Sequence, residues 1–190
     1  MSNPDPTHFK ALNRIWKYLN DPKSKDLALV YKAQSTPTLV SYSDADWGGD
    51  FTTRKSTTGY IFFLNKQAPI SWRSILQKSV ALSSYKAEYI ALKEITKEAI
   101  FLKDLFKELE IETKAITVYT DLKSAIELAN NPEHYAKTKH IDIQYYYMRD
   151  IYYLGLIDLV WVSTKEQVAD ILTKPLDTNL FKSLKEFLIG

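Results

Sequence analysis

Four acidic residues stand where a carboxylate is out of place. Asp44 ends an alternating strand pattern in register with Val40 and Tyr42, on a face that should be packed. Glu88 lies four residues before Leu92 and seven before Ile95, on the core-facing stripe of a long helix. Asp121 closes the strand pattern over residues 115–120, just before a turn. Asp170 interrupts the apolar pairs Val168-Ala169 and Ile171-Leu172. A buried, unpaired carboxylate is costly and tends to take up a proton. Several gathered together repel one another unless cations lie between them. Singly, each is more often a cap or a salt-bridge partner; together they make an oxygen-ligand set. The chain has no cysteine and three histidines, so any metal site must be built mainly from oxygen, which favours Mg²⁺ or Mn²⁺. Two such ions about 3.5–4 Å apart activate water and stabilise the leaving oxygen in phosphodiester cleavage. No G-x-S-x-G, Walker or H-E-x-x-H pattern offers a competing chemistry.

The charge is segregated. The 190 residues carry 25 Lys+Arg and 23 Asp+Glu, a net charge of +2. Residues 51–87 contain no Asp or Glu, yet hold Arg54, Lys55, Lys66, Arg73, Lys78 and Lys86. Asp44, Asp46 and Asp50 precede them, the last two reading as turn-formers. Cations that hold a phosphate backbone beside carboxylates that hold a metal are what a nuclease needs. A hairpin with a solvated basic face gives the same composition.

The elements that must position these residues follow from periodicity. Phe9, Leu12, Ile15, Trp16 and Leu19 share a helical stripe over residues 8–19, stopped by Asn20-Asp21-Pro22. A short strand is expected at 27–31 and a linker at 34–38. The boundary falls near Thr36, with a helical arm at 1–36 and the main domain at 37–190. Strands are expected from Leu39, at 60–64 and at 69–73. A long helix capped by Ser83 or Ser84 comes next, then the strand at 115–120. Helices at 122–130 and 140–154, a strand at 156–162, a helix at 167–173 and a last one capped by Asp177 complete the order. A strand-strand-strand-helix-strand-helix-helix-strand-helix-helix order gives an α/β fold, one mixed five-stranded sheet flanked by helices. Asp44 and Asp121 would share one sheet edge if their strands are parallel neighbours. Trp72 can stack on a base, although a strand Trp is more often core. No apolar run reaches the roughly 18–20 residues of a membrane span, and the N-terminus lacks a signal-peptide pattern. The expectation is an intracellular, non-secreted protein without membrane contact; the sequence is silent on oligomeric state.

Several motifs carry a family resemblance. They are Tyr42-Ser43-Asp44-Ala45-Asp46-Trp47, Thr53-Arg54-Lys55-Ser56-Thr57-Thr58-Gly59-Tyr60, Ile70-Ser71-Trp72-Arg73-Ser74 and Val80-Ala81-Leu82-Ser83-Ser84-x-x-Ala87-Glu88-Tyr89. Thr138-Lys139-His140-Ile141-Asp142 and Ala169-Asp170-Ile171-Leu172-Thr173-Lys174-Pro175-Leu176 complete the set. In order and spacing they resemble the ribonuclease H (RNase H) domain of copia-type LTR retrotransposon (Pseudoviridae) Pol polyproteins, from Leu39 to the C-terminus. Asn3-Pro4 and the Trp16 helix resemble the segment joining reverse transcriptase to that domain. The resemblance implies an RNase H-like fold and Mg²⁺-dependent hydrolysis of the RNA strand of RNA–DNA hybrids, with two ions and Mn²⁺ as an alternative. It implies a reverse transcriptase domain in the same polyprotein, and a cytoplasmic virus-like particle if the element is active.

The family's four metal-binding acids fall on Asp44, Glu88, Asp121 and Asp170. By the family pattern, Asp44 and Asp170 hold one ion, and Asp44, Glu88 and Asp121 the other. Substrate contacts are expected from the Gly48-Gly49 turn, Arg54, Lys55, Arg73, Lys86 and His140. His140 would touch a phosphate or shuttle a proton; its plainer reading is a helix-start hydrogen bond. The sequence departs from the pattern at Tyr85-Lys86 and at Leu122-Lys123. It also lacks the loop histidine that many relatives carry before the last acid, leaving water, Lys165, Glu166 or another histidine to replace it. The rival reading is a catalytically inactive RNase H-fold module, binding nucleic acid or serving as a structural part of a reverse transcriptase or a domesticated element.

Overall fold

A computed structural model describes residues 4–32, 37–130 and 143–189. Strands β1 (Leu39–Asp46), β2 (Thr57–Leu64) and β3 (Ala68–Leu76) form an antiparallel meander. The long helix α3 (Ser84–Glu108) crosses over to β4 (Ile116–Thr120), which pairs with β1 in parallel. Helices α4 (Lys123–Asn130) and α5 (Ile143–Tyr153) lead to β5 (Ile157–Trp161), parallel to β4. The strand order is β3-β2-β1-β4-β5, one mixed sheet of five strands. Two short helices, α6 (Asp170–Thr173) and α7 (Thr178–Ile189), close the chain. The expected α/β order is therefore observed, and Asp44 and Asp121 do lie at the carboxyl ends of parallel neighbours.

Strand alternation sorts side chains onto two faces. Leu39, Tyr60, Phe62, Ile116, Val118, Ile157 and Leu159 meet Leu92, Ile95, Ala99 and Leu102 of α3 and Met148 and Ile151 of α5. Each fully buried residue of that size contributes about 1.5–3 kcal/mol by leaving water. On the other face Val40, Ile61 and Phe63 pack with Val168 and Leu184, flanked by Ile171, Leu172 and Leu180 from α6 and α7. Tyr42 stacks on Tyr119 there, with ring centroids 4.8 Å apart.

Three expectations are corrected. Residues 27–31 join no sheet. Leu27, Leu29, Val30 and Tyr31 are exposed, and the segment is held by side chains: the Tyr31 hydroxyl donates to the Pro69 carbonyl (2.6 Å), and Gln67 accepts from the Lys32 amide (3.2 Å). The helix expected at 167–173 begins only at Asp170. Gln167 is drawn into the body instead, its Nε2 donating to the Ser43 carbonyl (2.9 Å) and its Oε1 accepting from the Ala169 amide (3.3 Å). Trp72 is 55% exposed, because β3 is an edge strand.

The arm forms α1 (Pro6–Asn20) and α2 (Pro22–Lys25). Asp5 caps α1 by accepting from the Thr7 amide, and Asp21 caps α2 by accepting from the Lys23 amide. No residue of either helix is buried.

Candidate metal centre

Three elements bring the acids together. Asp44 is carried by β1 and is 2% exposed. Asp121 directly follows β4 and is half-buried. Glu88 lies one turn into α3, whose start is capped by Ser83 Oγ accepting from the Lys86 amide (3.2 Å). Small side chains let that helix end approach the sheet: Ala45, Ala81, Ala87 and Ala91 pack as a cluster. Gln77 pins the turn beside Glu88 by donating to Thr58 Oγ1 (3.0 Å) and to the Ala87 carbonyl (2.9 Å). The Trp47 indole donates to the Ala81 carbonyl (2.9 Å) and fixes the approach to α3.

Asp44, Glu88 and Asp121 each offer a carboxylate oxygen, and these atoms lie within 4.8 Å of one another. Glu88 Oε1 accepts from the Ala45 amide (3.1 Å), while its buried Oε2 has no hydrogen-bond partner. Burial, then the charges of Asp44 and Asp121, push the Glu88 carboxyl up to about 9. Burial and Asp44 raise Asp121 as well. An orphaned buried oxygen facing two more carboxylates is a poor structural arrangement and a suitable cation site. The all-oxygen donor set suits a hard divalent cation.

Asp170 joins differently. It opens α6, is almost fully buried, and its Oδ1 lies 2.8 Å from Lys174 Nζ. Burial raises its carboxyl to about 6, Lys174 working against the rise and Asp44 adding to it. Lys174 Nζ also lies 3.8 Å from Asp44 Oδ2, and the Thr173 hydroxyl donates to that same oxygen. The chain thus brings three of the four expected acids into one cluster and attaches the fourth through a lysine.

The expected substrate contacts are spread out. The Gly48 amide donates to Ser56 Oγ (3.1 Å), so it is spent within the turn. Gly49 lies against the Asp46 carboxylate, where a Cβ would come within 1.9 Å of Oδ2. Asp50 is a turn-former, its Oδ1 accepting from the Thr52 and Thr53 amides. Arg54 adopts a positive φ of 56° and brings its guanidinium beside Gly48; Lys55 follows it, half-exposed. Arg73 is exposed on β3 with its charge near Tyr60, whose hydroxyl donates to Glu98 (3.4 Å). Lys86 is exposed on the first turn of α3. His140 lies outside the described residues.

Sequence reasoning missed Lys174, Thr173, Gln77, Gln167 and Gly59. Gly59 pairs with Asp44 across β1 and β2, and a Cβ there would meet Thr173 Cγ2 at 2.5 Å and Leu172 Cβ at 3.0 Å. Only glycine lets α6 lie this close to the sheet. The i,i+4 spacing of Asp170 and Lys174 was a readable signal; the contacts of the glutamines and Gly59 were not.

This arrangement of sheet and crossover helix is matched among solved structures. LC11-RNase H1, isolated from compost by a metagenomic approach, superposes with a TM-score of 0.55 at 15% identity, over 77% of this chain and 98% of that one. The same enzyme in complex with an RNA/DNA hybrid also gives 0.55, at 14% identity, over 71% of this chain and 93% of that one. The fold is that of RNase H. Sequence relatives narrow the identification. The Pol polyprotein from transposon TNT 1-94 of Nicotiana tabacum is 42% identical over 190 residues, 100% of this chain and 14% of that protein. The Pol polyprotein from transposon RE1 of Arabidopsis thaliana is 39% identical over 184 residues, 96% of this chain and 12% of that protein. The chain is a homologue of copia-type Pol polyproteins of plant transposons, and it spans 12–14% of the length of these two relatives. No family model matches it. Among the described residues, no helix is long and apolar enough to cross a membrane.

Proposed function

We propose that the chain is a metal-dependent endoribonuclease that hydrolyses the RNA strand of RNA–DNA hybrids during reverse transcription, inside the cell. One observation carries this reading: three carboxylate oxygens converge at the ends of two parallel strands, with Glu88 Oε2 left without a partner. Asp44, Glu88 and Asp121 would hold one divalent cation, and Asp44 with Asp170 a second; Mg²⁺ suits this donor set and Mn²⁺ is the alternative. Bound there, the cations supply an activated water and charge stabilisation for the departing oxygen. The chain's own residues orient and protect. Thr173 and the Ala45 amide aim the Asp44 and Glu88 carboxylates, and burial keeps bulk water from them.

The substrate reading draws support from the LC11 complex, a protein of this fold with an RNA/DNA hybrid bound. Arg54, Lys55 and Lys86 are free of ion pairs among the described residues and are offered as phosphate contacts, with Arg73 at the edge strand. Exposed Trp72 beside Arg73 adds a stacking surface. Residues 37–190 would form the nuclease domain, and the arm at 1–36 would join it to a reverse transcriptase in a longer polyprotein. The test uses hybrids labelled on either strand, with Mg²⁺ and with chelator. Cleavage of the RNA label alone, and only with metal, is expected. Binding without cleavage, steeply dependent on salt, would replace the enzyme with an inactive binding module.

A further inference from the structure

We propose that Lys174 is a resident counter-ion that occupies the Asp44–Asp170 side of the acid cluster and competes with divalent cation there. The proposal rests on the metal reading above and concerns how many cations the apo site can accept. Of the four acids, Asp44, Glu88 and Asp121 bring carboxylate oxygens within 4.8 Å of one another. Asp170 is the fourth, and its Oδ1 is held by the Lys174 ammonium at 2.8 Å. The same ammonium lies 3.8 Å from Asp44 Oδ2. Among the described residues, no other cation makes an ion pair with any of the four acids.

The backbone sets this up. The single turn of α6 ends at Thr173, and the Lys174 amide donates to the Asp170 carbonyl (3.2 Å). Lys174 is itself extended, at φ −144° and ψ 155°, and Pro175 forbids the helix from continuing. The side chain, 33% exposed, therefore turns back over the helix to the acid one turn earlier. A cation shared by Asp44 and Asp170 needs the oxygens that the ammonium faces. Like charges at such distances repel strongly in a half-buried setting. Both cannot stay. The lysine relieves repulsion in the metal-free fold and is expelled when a second cation enters. A purely structural salt bridge would persist through metal binding and leave affinity unchanged.

Mn²⁺ binding to the whole chain, followed by the resonance of free Mn²⁺, tests this in wild type, Lys174→Met and Lys174→Arg. Wild type is expected to take one ion readily and a second weakly. Lys174→Met should tighten the second by at least about tenfold, while Lys174→Arg keeps the wild-type pattern. A second readout needs no variant: the Cε signal of isotope-labelled Lys174 should move only with the second equivalent of Mg²⁺. Equal second-site affinity in wild type and Lys174→Met, or a Lys174 signal unmoved at saturation, overturns the counter-ion role alone. Failure of wild type to bind any ion overturns the metal reading itself, and this inference with it.

Discussion

Strand β1 builds two different environments along its eight residues. Its amino end joins the packed body: Leu39 meets the α3 face, and Val40 and Tyr42 meet Phe63 and Tyr119 on the other. Its carboxyl end buries as completely but with polar atoms: Ser43, Asp44, and the Ala45 amide that Glu88 takes. The first end lowers free energy by removing apolar surface from water. The second stores unfavourable energy, since the Glu88 and Asp121 carboxyls gathered beside it are raised by burial and by the charge of Asp44. Stability and chemistry are thus divided along one strand, and the acid end depends on the apolar end to hold it in place.

Replacements at each end should break different properties, and the largest effect belongs to the acid end. Asp44→Asn is expected to lower hybrid cleavage by at least about 10²-fold, the scale of losing one electrostatic stabiliser, without lowering the melting temperature in the absence of metal. Parallel loss of fold and activity would erase the proposed division. Phe62 of β2, fully buried and paired with Ser41 at the apolar end of β1, should behave oppositely. Phe62→Ala should cost about 3–5 kcal/mol in denaturant unfolding.

Gly59 tests the seam between the two ends. Gly59→Ala forces its Cβ against Thr173 and Leu172. It should cost about 1–3 kcal/mol as an overpacked contact, and it should reduce cleavage because α6 carries Asp170. Full activity with normal stability would show that α6 has slack.

The pH dependence separates the ends further. Glu88 is raised to about 9, so between its ordinary value near 4.5 and 9 the folded protein binds more protons than the unfolded chain. Stability without metal should then fall as pH rises through that window. Glu88→Gln should flatten the fall, and the comparison is read from melting curves at pH 5 and pH 8.5. A fall of about 2–4 °C corresponds to about 1 kcal/mol in a chain of this size. An equal slope in the variant would assign the effect elsewhere. The smallest effect is expected outside the body. Trp16→Ser on α1, whose residues are all exposed, should change unfolding free energy by no more than about 0.5 kcal/mol.

Much of this was legible in the sequence. The alternation around Val40 and Tyr42 and the stripe through Leu92 and Ile95 specified β1 and α3, because one face of each must be packed. The same patterns exposed Asp44 and Glu88 as acids on apolar faces. Periodicity misled where a partner was needed to complete an element. The 27–31 segment has strand composition but no strand beside it, and the α1 stripe is helical yet none of it is buried. Gln167 looked like a helix start because its bond to Ser43 spans 124 residues, beyond any local rule. Lys174 was missed for a related reason: a lysine after a helix is ordinarily solvated, and only the fold places Asp44 within its reach.

The most direct test of the central claim is a Mg²⁺ titration of hybrid cleavage by the purified chain, with Glu88→Gln and Asp121→Asn run beside wild type. RNA-strand cleavage is expected to rise with Mg²⁺, to be abolished by chelator, and to fall by at least about 10²-fold in both variants. Robust cleavage by either variant, or cleavage by wild type that survives chelation, would contradict that claim.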